Sequence, residues 1–272
     1  MKALFDLDGT GSYTAGHVHP GSGVVFGGQM LAQTIVAAAR AVPDKHVKSV
    51  HTIFARGGSA DAPLTIDVEP MHAGRAFASV TVTLRQGDRL CARSLVLLDA
   101  DEPDLIRHGP AMPAADAPGA VTNPEPWWDV AVVGGVDISD PDDVGPAELL
   151  VWTRFPDAPE DRTSSQALLA YATDGFLIGT AMRPHAGFGQ ALAHVTISTT
   201  VLSHTLTFHE PFSAAEWLLM VQESPYAGRG RAYGRAHVYA GDGRLVASFV
   251  QESMIRDFPA GQAPVTGERS RH

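Results

Sequence analysis

Apolar positions along this chain follow two different periods, which predict two long helices and two groups of strands. Residues 24–42 and 163–180 are apolar over lengths suited to buried helices, and Pro43 stops the first of them. Elsewhere, short alternating runs bounded by glycine and other turn residues are typical of strands. The predicted strands are residues 49–56, 64–69, 76–85 and 89–98 after the first helix, 127–136 and 149–155 before the second, and 199–209, 216–222, 230–239 and 244–254 after it.

The order of a helix followed by a run of strands occurs twice, and short motifs recur with it. Because three motifs return in register, we interpret the chain as an internal duplication. The sequence therefore predicts an α+β fold with two copies of a long helix wrapped by a curved antiparallel sheet. The matches, about 153 to 155 residues apart, are His51-Thr52 with His204-Thr205, Ala73-Gly74-Arg75 with Ala227-Gly228-Arg229, and Gly87-Asp88-Arg89-Leu90 with Gly241-Asp242-Gly243-Arg244-Leu245.

A change of composition separates the two predicted copies. Residues 109–126 contain five prolines and no apolar period, which is typical of a linker. We therefore predict an N-terminal domain at residues 1–108, a linker at 109–126 and a C-terminal domain at 127–260. Residues 261–272 are predicted to be a disordered tail.

Composition and charge narrow the possible partners. The chain has 272 residues, 44% of them hydrophobic, and a formal net charge of -10. An acidic protein offers no basic face, so we predict that neither nucleic acid nor a membrane is its main partner. The early acidic residues and the absence of an apolar run of about 20 residues favour a soluble, cytoplasmic protein. His17 and His19 have no carboxylates or thiols near them in the sequence, so no metal site is predicted.

The stretch from Thr163 to Thr180 carries the most informative single residue. A Thr/Ser cluster suited to helix capping is followed by alanines, leucines and Tyr171, and then by Asp174 among apolar neighbours. Placing an ionised carboxylate in such surroundings costs several kcal/mol unless the group is hydrogen-bonded or neutralised. Asp174 is either a locally satisfied acid or a catalytic base.

Two glycines open the first predicted helix, and they also allow two interpretations. Gly27 and Gly28, followed by Gln29, could let backbone N–H groups approach an anionic or oxyanion ligand at the helix N-terminus. Glycines at this point are equally consistent with close packing. We treat Gly27, Gly28 and Gln29 as candidate substrate-binding residues.

An Asp-x-Asp-Gly-Thr motif near the N-terminus suggests a different enzyme. Asp6 and Asp8 resemble the nucleophile and the acid/base of haloacid-dehalogenase-type phosphatases, which need Mg²⁺ and a buried parallel strand before the motif. The following sequence has no alternation of strands and helices for a parallel sheet. We favour a strand ending in a turn and keep the phosphatase as the least favoured alternative.

Taken together, the motifs resemble the acyl-CoA thioesterase II family, whose members are double hotdog proteins. The resemblance extends over residues 24–256, and the joint order of the pieces is specific although each is short. It is carried by Val25-Phe26-Gly27-Gly28-Gln29, Val50-His51-Thr52-Ile53-Phe54-Ala55-Arg56-Gly57-Gly58, Trp152-Thr153-Arg154-Phe155, Leu169-Ala170-Tyr171-Ala172-Thr173-Asp174, Arg183-Pro184-His185, Phe208-His209-Glu210-Pro211-Phe212, Glu216-Trp217-Leu218-Leu219 and Asp242-Gly243-Arg244-Leu245-Val246-Ala247-Ser248-Phe249-Val250-Gln251-Glu252.

This resemblance implies hydrolysis of acyl-CoA to free acid and CoA without a covalent nucleophile or a cofactor. An Asp, a Gln and a Thr or Ser hold the attacking water, and the first two correspond to Asp174 and Gln251. The hydroxyl position falls on Val201, which can neither donate nor accept a hydrogen bond. Thr200 next to it is our preferred substitute, and it needs a strand bulge to face the same way. Ser203, two residues from Val201, is the other candidate.

Two consequences of the resemblance stay open. Without the hydroxyl at Val201, the chain is either an active thioesterase or a catalytically weak acyl-CoA-binding protein of the same fold. Gln251 is either part of the site or a polar residue that satisfies a sheet edge. The resemblance also implies a homodimer or larger homo-oligomer.

Overall fold

A computed structural model describes residues 1–258 and contains one continuous antiparallel sheet of 13 strands. The strand order is β1-β2-β4-β5-β6-β3-β10-β13-β12-β11-β9-β8-β7, so each half of the chain forms one half of the sheet. The strands are β1 (Leu7–Thr10), β2 (Ser12–Ala15), β3 (His46–Phe54), β4 (Leu64–Ala73), β5 (Phe77–Gln86), β6 (Arg89–Asp99), β7 (Thr122–Glu125), β8 (Trp128–Val132), β9 (Glu148–Arg154), β10 (Ile197–Phe208), β11 (Leu218–Gly228), β12 (Arg231–Ala240) and β13 (Leu245–Asp257).

Pairing between β3 and β10 joins the two halves. These strands meet over five register pairs, from Ser203 opposite Ile53 to Thr207 opposite Ser49. Each strand also pairs with the last long strand of its own half, β3 with β6 and β10 with β13. Backbone hydrogen bonding therefore runs without interruption from one half of the molecule to the other.

The helices are α1 (Gly27–Ala41), α2 (Arg162–Thr173) and the short α3 (Leu177–Met182). Both long helices are buried, because their apolar residues join the inward side chains of both sheet halves in one core. The edge of the Phe26 ring meets Tyr171 at a centroid distance of 5.0 Å, which ties the start of α1 to the end of α2. The prediction of two buried helices and a large antiparallel sheet is confirmed.

Three local expectations need correction. The residue that caps α2 is Asp161, which accepts a hydrogen bond from the backbone N–H of Ser164 at 2.8 Å, rather than the Thr/Ser cluster. The helix ends at Thr173, so Asp174 is its C-cap residue and does not lie inside the helix. Finally, β7 occupies Thr122–Glu125, the last part of the predicted linker.

The His-Thr repeat is not equivalent in the two halves. His204 is buried on the inward face of β10, whereas His51 is exposed on the outward face of β3. Side chains alternate between faces of a strand, so a shift of one residue puts the two histidines on opposite sides. The proposed boundaries at residues 1–108 and 127–260 stay a prediction, and the predicted tail at 261–272 lies outside the described residues.

The Asp-x-Asp motif lies in an edge hairpin formed by β1 and β2. Asp8 is exposed, and the exposed carboxylate of Asp6 pairs with Lys2 at 3.2 Å. The motif thus lies at the strand and turn that we expected. Its strand pairs antiparallel with β2, whereas the phosphatase chemistry needs a buried parallel strand. Across residues 1–258 the structure has no helix long and apolar enough to span a bilayer.

Candidate active site

Asp174 lies where the end of α2 meets the start of α1. A Cβ atom added to Gly27 would stand 2.6 Å from Oδ2 of Asp174, and one added to Gly28 would overlap the carbonyl oxygen of Tyr171. Both glycines are therefore needed for close packing, and this packing is also what brings the α1 N-terminus to the carboxylate. The geometry supports the packing interpretation of the Gly-Gly pair, and substrate binding at Gly27 and Gly28 stays a prediction.

The surroundings of Asp174 suit a base. Its Oδ1 atom is buried and, among residues 1–258, has no hydrogen-bond partner, although the residue as a whole is only half-buried. Burial raises the pKa of Asp174 to about 7, and a hydrogen bond from the Gly28 backbone partly opposes this rise. A carboxyl group with this pKa exists in both protonation states near neutral pH, so it can accept a proton from water and release it again.

Gln251 lies on the inward face of β13 and is 1% exposed. Its Nε2 atom donates a hydrogen bond to Oγ of Ser253 at 3.0 Å. The other amide atom, Oε1, is buried and accepts no hydrogen bond within the described part of the chain. Since a buried amide oxygen without a partner costs free energy, this atom is a candidate for holding a water molecule or a polar substrate group.

Residues on both sides of Asp174 pack over the strand neighbours of Gln251. Gln251 lies between His204 on β10 and Gly234 on β12. The backbone of Thr173 interacts with the His204 ring, and a Cβ added to Gly234 would stand 2.7 Å from Cδ2 of Leu177. Thr173 and Leu177 therefore lie against the two strand neighbours of Gln251, and Asp174 lies between them in the chain.

Thr200 does not reach this region. The bulge in β10 falls between Val201 and Ser203, so it leaves Thr200 on the outward face, opposite Met254 and exposed. Thr200 would share a face with Val201 only if the bulge lay between these two residues. The bulge instead follows Val201, so the two side chains stay on opposite faces. Ser203 likewise lies near Glu252, its Oγ being 3.4 Å from the carboxylate, and not near Gln251.

Gln29 is occupied by the protein itself. Its Oε1 atom accepts a hydrogen bond from the N–H of Val18 at 2.9 Å, and its Nε2 atom donates to the carbonyl of Gly16 at 3.1 Å. Nε2 also lies 3.1 Å from Nδ1 of His17. With both ends of the amide in use, Gln29 anchors the segment before α1, so the prediction that it contacts substrate finds no support in this geometry.

Sequence reasoning overlooked Tyr171 and Ser253 as parts of this region. The Tyr171 hydroxyl is buried without a partner in the described residues, and its pKa is raised by burial and by the carboxylates of Glu125 and Asp174. The Trp127 ring lies tilted against the Tyr171 ring with 5.2 Å between ring centroids. The signal for Ser253 was its spacing of two residues from Gln251, which puts both on one face of a strand.

His204 is a second buried ionisable group beside Gln251. Burial lowers its pKa to about 4, so the ring is neutral at physiological pH. It stacks on Phe249 with 5.5 Å between ring centroids. A neutral, stacked imidazole fits a structural role and does not compete with Asp174 as a base.

A large groove on the sheet does not contain the candidate catalytic residues. This groove of about 590 Å³ is lined by residues of β9 to β13, including Thr205, His237 and Ser248, but neither Asp174 nor Gln251 lines it. Residues 1–258 contain no cluster of three or more His, Cys, Asp or Glu side chains arranged to hold a metal ion. The convergence of buried polar atoms is therefore the better guide.

Solved structures with the same architecture define the class of fold. A protein of unknown function with a hotdog fold from Alicyclobacillus acidocaldarius superposes with a TM-score of 0.76 at 19% identity, covering 95% of this chain and 98% of that one. An acyl-CoA thioesterase II from Mycobacterium marinum superposes with a TM-score of 0.80 at 30% identity, covering 97% and 99% of the two chains. The architecture is that of hotdog proteins.

Sequence comparison identifies the family. Residues 14–98 match the model of the acyl-CoA thioesterase N-terminal domain, and residues 103–255 match that of the C-terminal domain. Acyl-CoA thioesterase 2 of Haemophilus influenzae is 30% identical over 255 residues, covering 85% of this chain and 87% of that protein. This chain belongs to the acyl-CoA thioesterase family, a family of thioester hydrolases.

Proposed function

We propose that this protein hydrolyses fatty acyl-CoA thioesters by direct attack of a water molecule held between Asp174 and Gln251. The single observation that carries the proposal is the convergence of a buried carboxylate and a buried amide, each with an oxygen that no described residue satisfies. Family membership supplies the reaction class. The two hotdog units, the acyl-CoA substrate, the homo-oligomeric state and a cytoplasmic location belong to the same proposal.

In this mechanism Asp174 takes a proton from the water as the water attacks the thioester carbonyl carbon. General base catalysis of this kind contributes about 10² to 10⁴ in rate. The Oε1 atom of Gln251 accepts the other hydrogen of the water and so aims its lone pair at the carbonyl carbon. No covalent intermediate forms on the protein, and the leaving CoA thiolate takes up a proton.

The N-terminus of α1 is our candidate for stabilising the negative charge on the thioester oxygen. Gly27 and Gly28 place backbone there without side chains, beside Asp174. Unpaired N–H groups at a helix start carry partial positive charge, and one well-placed oxyanion donor is worth about 3 to 4 kcal/mol. In this proposal, the Gly27 backbone N–H binds the substrate oxygen, and Gly28, whose backbone N–H donates to Asp174, helps to position that carboxylate beside it.

Thiol release from a series of acyl-CoAs tests the proposal. We expect the purified full-length protein to release free CoA, and Asp174→Asn to slow that release about 10² to 10⁴ fold because the amide cannot accept a proton. Asp6→Asn is the matched control, since it removes an exposed carboxylate of the alternative phosphatase motif. Acyl-CoA binding without any thiol release would instead support the inactive binding protein that the missing hydroxyl at Val201 allows. Mg²⁺-dependent release of phosphate from a phosphate ester, if it were lost in Asp6→Asn, would favour the phosphatase over the thioesterase.

A further inference from the structure

Ser253 is placed where the expected hydroxyl is missing. In the register of β10 and β13, Ser253 lies directly opposite Val201, the position at which the family resemblance calls for Thr or Ser. Side chains that oppose each other on an antiparallel pair share one face, with Cβ atoms about 4.5 to 5.5 Å apart. A hydroxyl on Ser253 therefore occupies the same part of the inward face as a hydroxyl on residue 201 would.

Ser253 is also tied to the candidate machinery. It is 3% exposed, and its Oγ accepts the hydrogen bond from Nε2 of Gln251 at 3.0 Å. Within residues 1–258 the hydroxyl of Ser253 donates to no other group, so its own proton is free for a further partner. The two flanking inward residues are Val201 and Ala232, and neither has a side-chain hydrogen-bonding group.

The orientation of the Gln251 amide decides whether that residue can serve the reaction. An amide side chain can rotate by half a turn, which exchanges its acceptor oxygen and donor nitrogen. Only the orientation with Oε1 toward Asp174 lets it accept a hydrogen from the attacking water. In the structure Nε2 donates to the Ser253 hydroxyl and Oε1 is the end without a partner among the described residues, so Ser253 holds the amide with its acceptor oxygen available.

We propose that Ser253 is the positioning residue that replaces the hydroxyl absent from Val201, by fixing the amide of Gln251 from the neighbouring strand. The inference rests on the proposed thioesterase function and adds a residue to it. The hydroxyl is supplied from β13 and not from β10, and it lies on the same face of the sheet. On this account the departure at Val201 does not inactivate the protein.

Substitutions at residues 253 and 201 test this exchange. We expect Ser253→Ala to lower kcat about tenfold, the size of one lost hydrogen bond, with KM for acyl-CoA unchanged. Ser253→Thr keeps the hydroxyl and retains most of the wild-type kcat. The double variant Ser253→Ala with Val201→Thr returns a hydroxyl to the same face and recovers most of the loss. The Ser253→Ala variant should keep the wild-type melting temperature within a few degrees.

Two kinetic results would overturn the proposal. One is a Ser253→Ala protein with wild-type kcat, and the other is a defect that neither Ser253→Thr nor the Val201→Thr double variant relieves. The side-chain amide NMR signals of Gln251 supply a readout that does not depend on activity, and they should shift in Ser253→Ala and return in the double variant. A wild-type protein that releases no thiol refutes the thioesterase function, whereas unshifted amide signals refute the role of Ser253.

Discussion

The two halves of the sheet carry similar elements with different chemistry. In the N-terminal half, α1 contains no acidic residue, and the inward residues of β6 include Ser94, Val96 and Leu98. Ser94 is satisfied, because its hydroxyl lies 2.8 Å from that of Thr52. In the C-terminal half, Asp174 follows α2 as its C-cap residue and Gln251 faces inward on β13, and each has an oxygen that no residue of 1–258 satisfies. The hydroxyls of Ser94 and Thr52 are thus hydrogen-bonded to each other, whereas Asp174 and Gln251 each keep an oxygen without a partner among the described residues.

The N-terminal half nevertheless contributes to the candidate site. Its glycines at the start of α1 form the wall against which Asp174 rests, so the candidate site is built at the contact between the halves. The outward faces differ as well. Ala115 and Met112 of the segment before β7 pack over the C-terminal half, whereas Ile53 and Leu95 of the N-terminal half are exposed. The two halves therefore differ in their outward faces as well as in their buried polar groups.

The carboxylate of Asp174 offers the largest test of this contrast. Since the base must be ionised, we expect kcat/KM to rise about tenfold per pH unit below pH 7 and to level off above it. The pKa of about 7 in the folded state lies above the unfolded value, so Asp174 stabilises the fold fully only at low pH, and this contribution is lost as pH rises through about 7. Asp174→Asn should therefore melt at a higher temperature than wild type at pH 8.5, and the gap should be clearly smaller at pH 5.

Thermal unfolding followed at pH 5, 7 and 8.5 measures that gap. The surface variant Asp6→Asn serves as the control, because it removes an exposed carboxylate that pairs with Lys2. A gap that stays constant with pH would contradict the raised pKa and remove the main electrostatic difference between the halves.

Alanine substitutions at the two glycines separate chemistry from packing at the contact between the halves. In Gly27→Ala the new methyl group meets the end of the Asp174 side chain, which can rotate away, so we expect a loss of kcat of at least tenfold with little loss of stability. In Gly28→Ala it meets the Tyr171 backbone, which cannot yield cheaply, so we expect unfolding to be easier by about 1 to 3 kcal/mol. Steady-state kinetics and urea unfolding of both variants check this. Equal effects on stability would show that the glycines do not differ in this way.

Thr200→Val is expected to have the smallest effect. The side chain of Thr200 is exposed on the outward face, and its hydroxyl makes only a 3.4 Å contact with the neighbouring Val201 carbonyl. We expect kcat to change less than twofold and stability by less than about 0.5 kcal/mol. A large fall in kcat would mean that β10 presents its other face to the substrate, and the assignment of the inward face would have to be abandoned.

The sequence by itself determined the elements and the reaction class. Period and turn chemistry located both helices and the main strands, because alternation and helical spacing are local properties that the chain states directly. The ordered motifs around Asp174 and Gln251 identified the family. The absence of a hydroxyl at Val201 could also be predicted from the sequence, because locating that position requires only counting residues along one strand.

Only the tertiary structure decided which side chains meet. A single bulge in β10 set the faces on which Thr200 and His204 lie, and strand parity cannot be read when the position of a bulge is unknown. The end of α2 at Thr173, the occupation of Gln29 by backbone groups and the pairing of Val201 with Ser253 all depend on contacts between distant segments. Such contacts depend on which distant segments lie side by side, and the periodicity of any one segment does not contain that information.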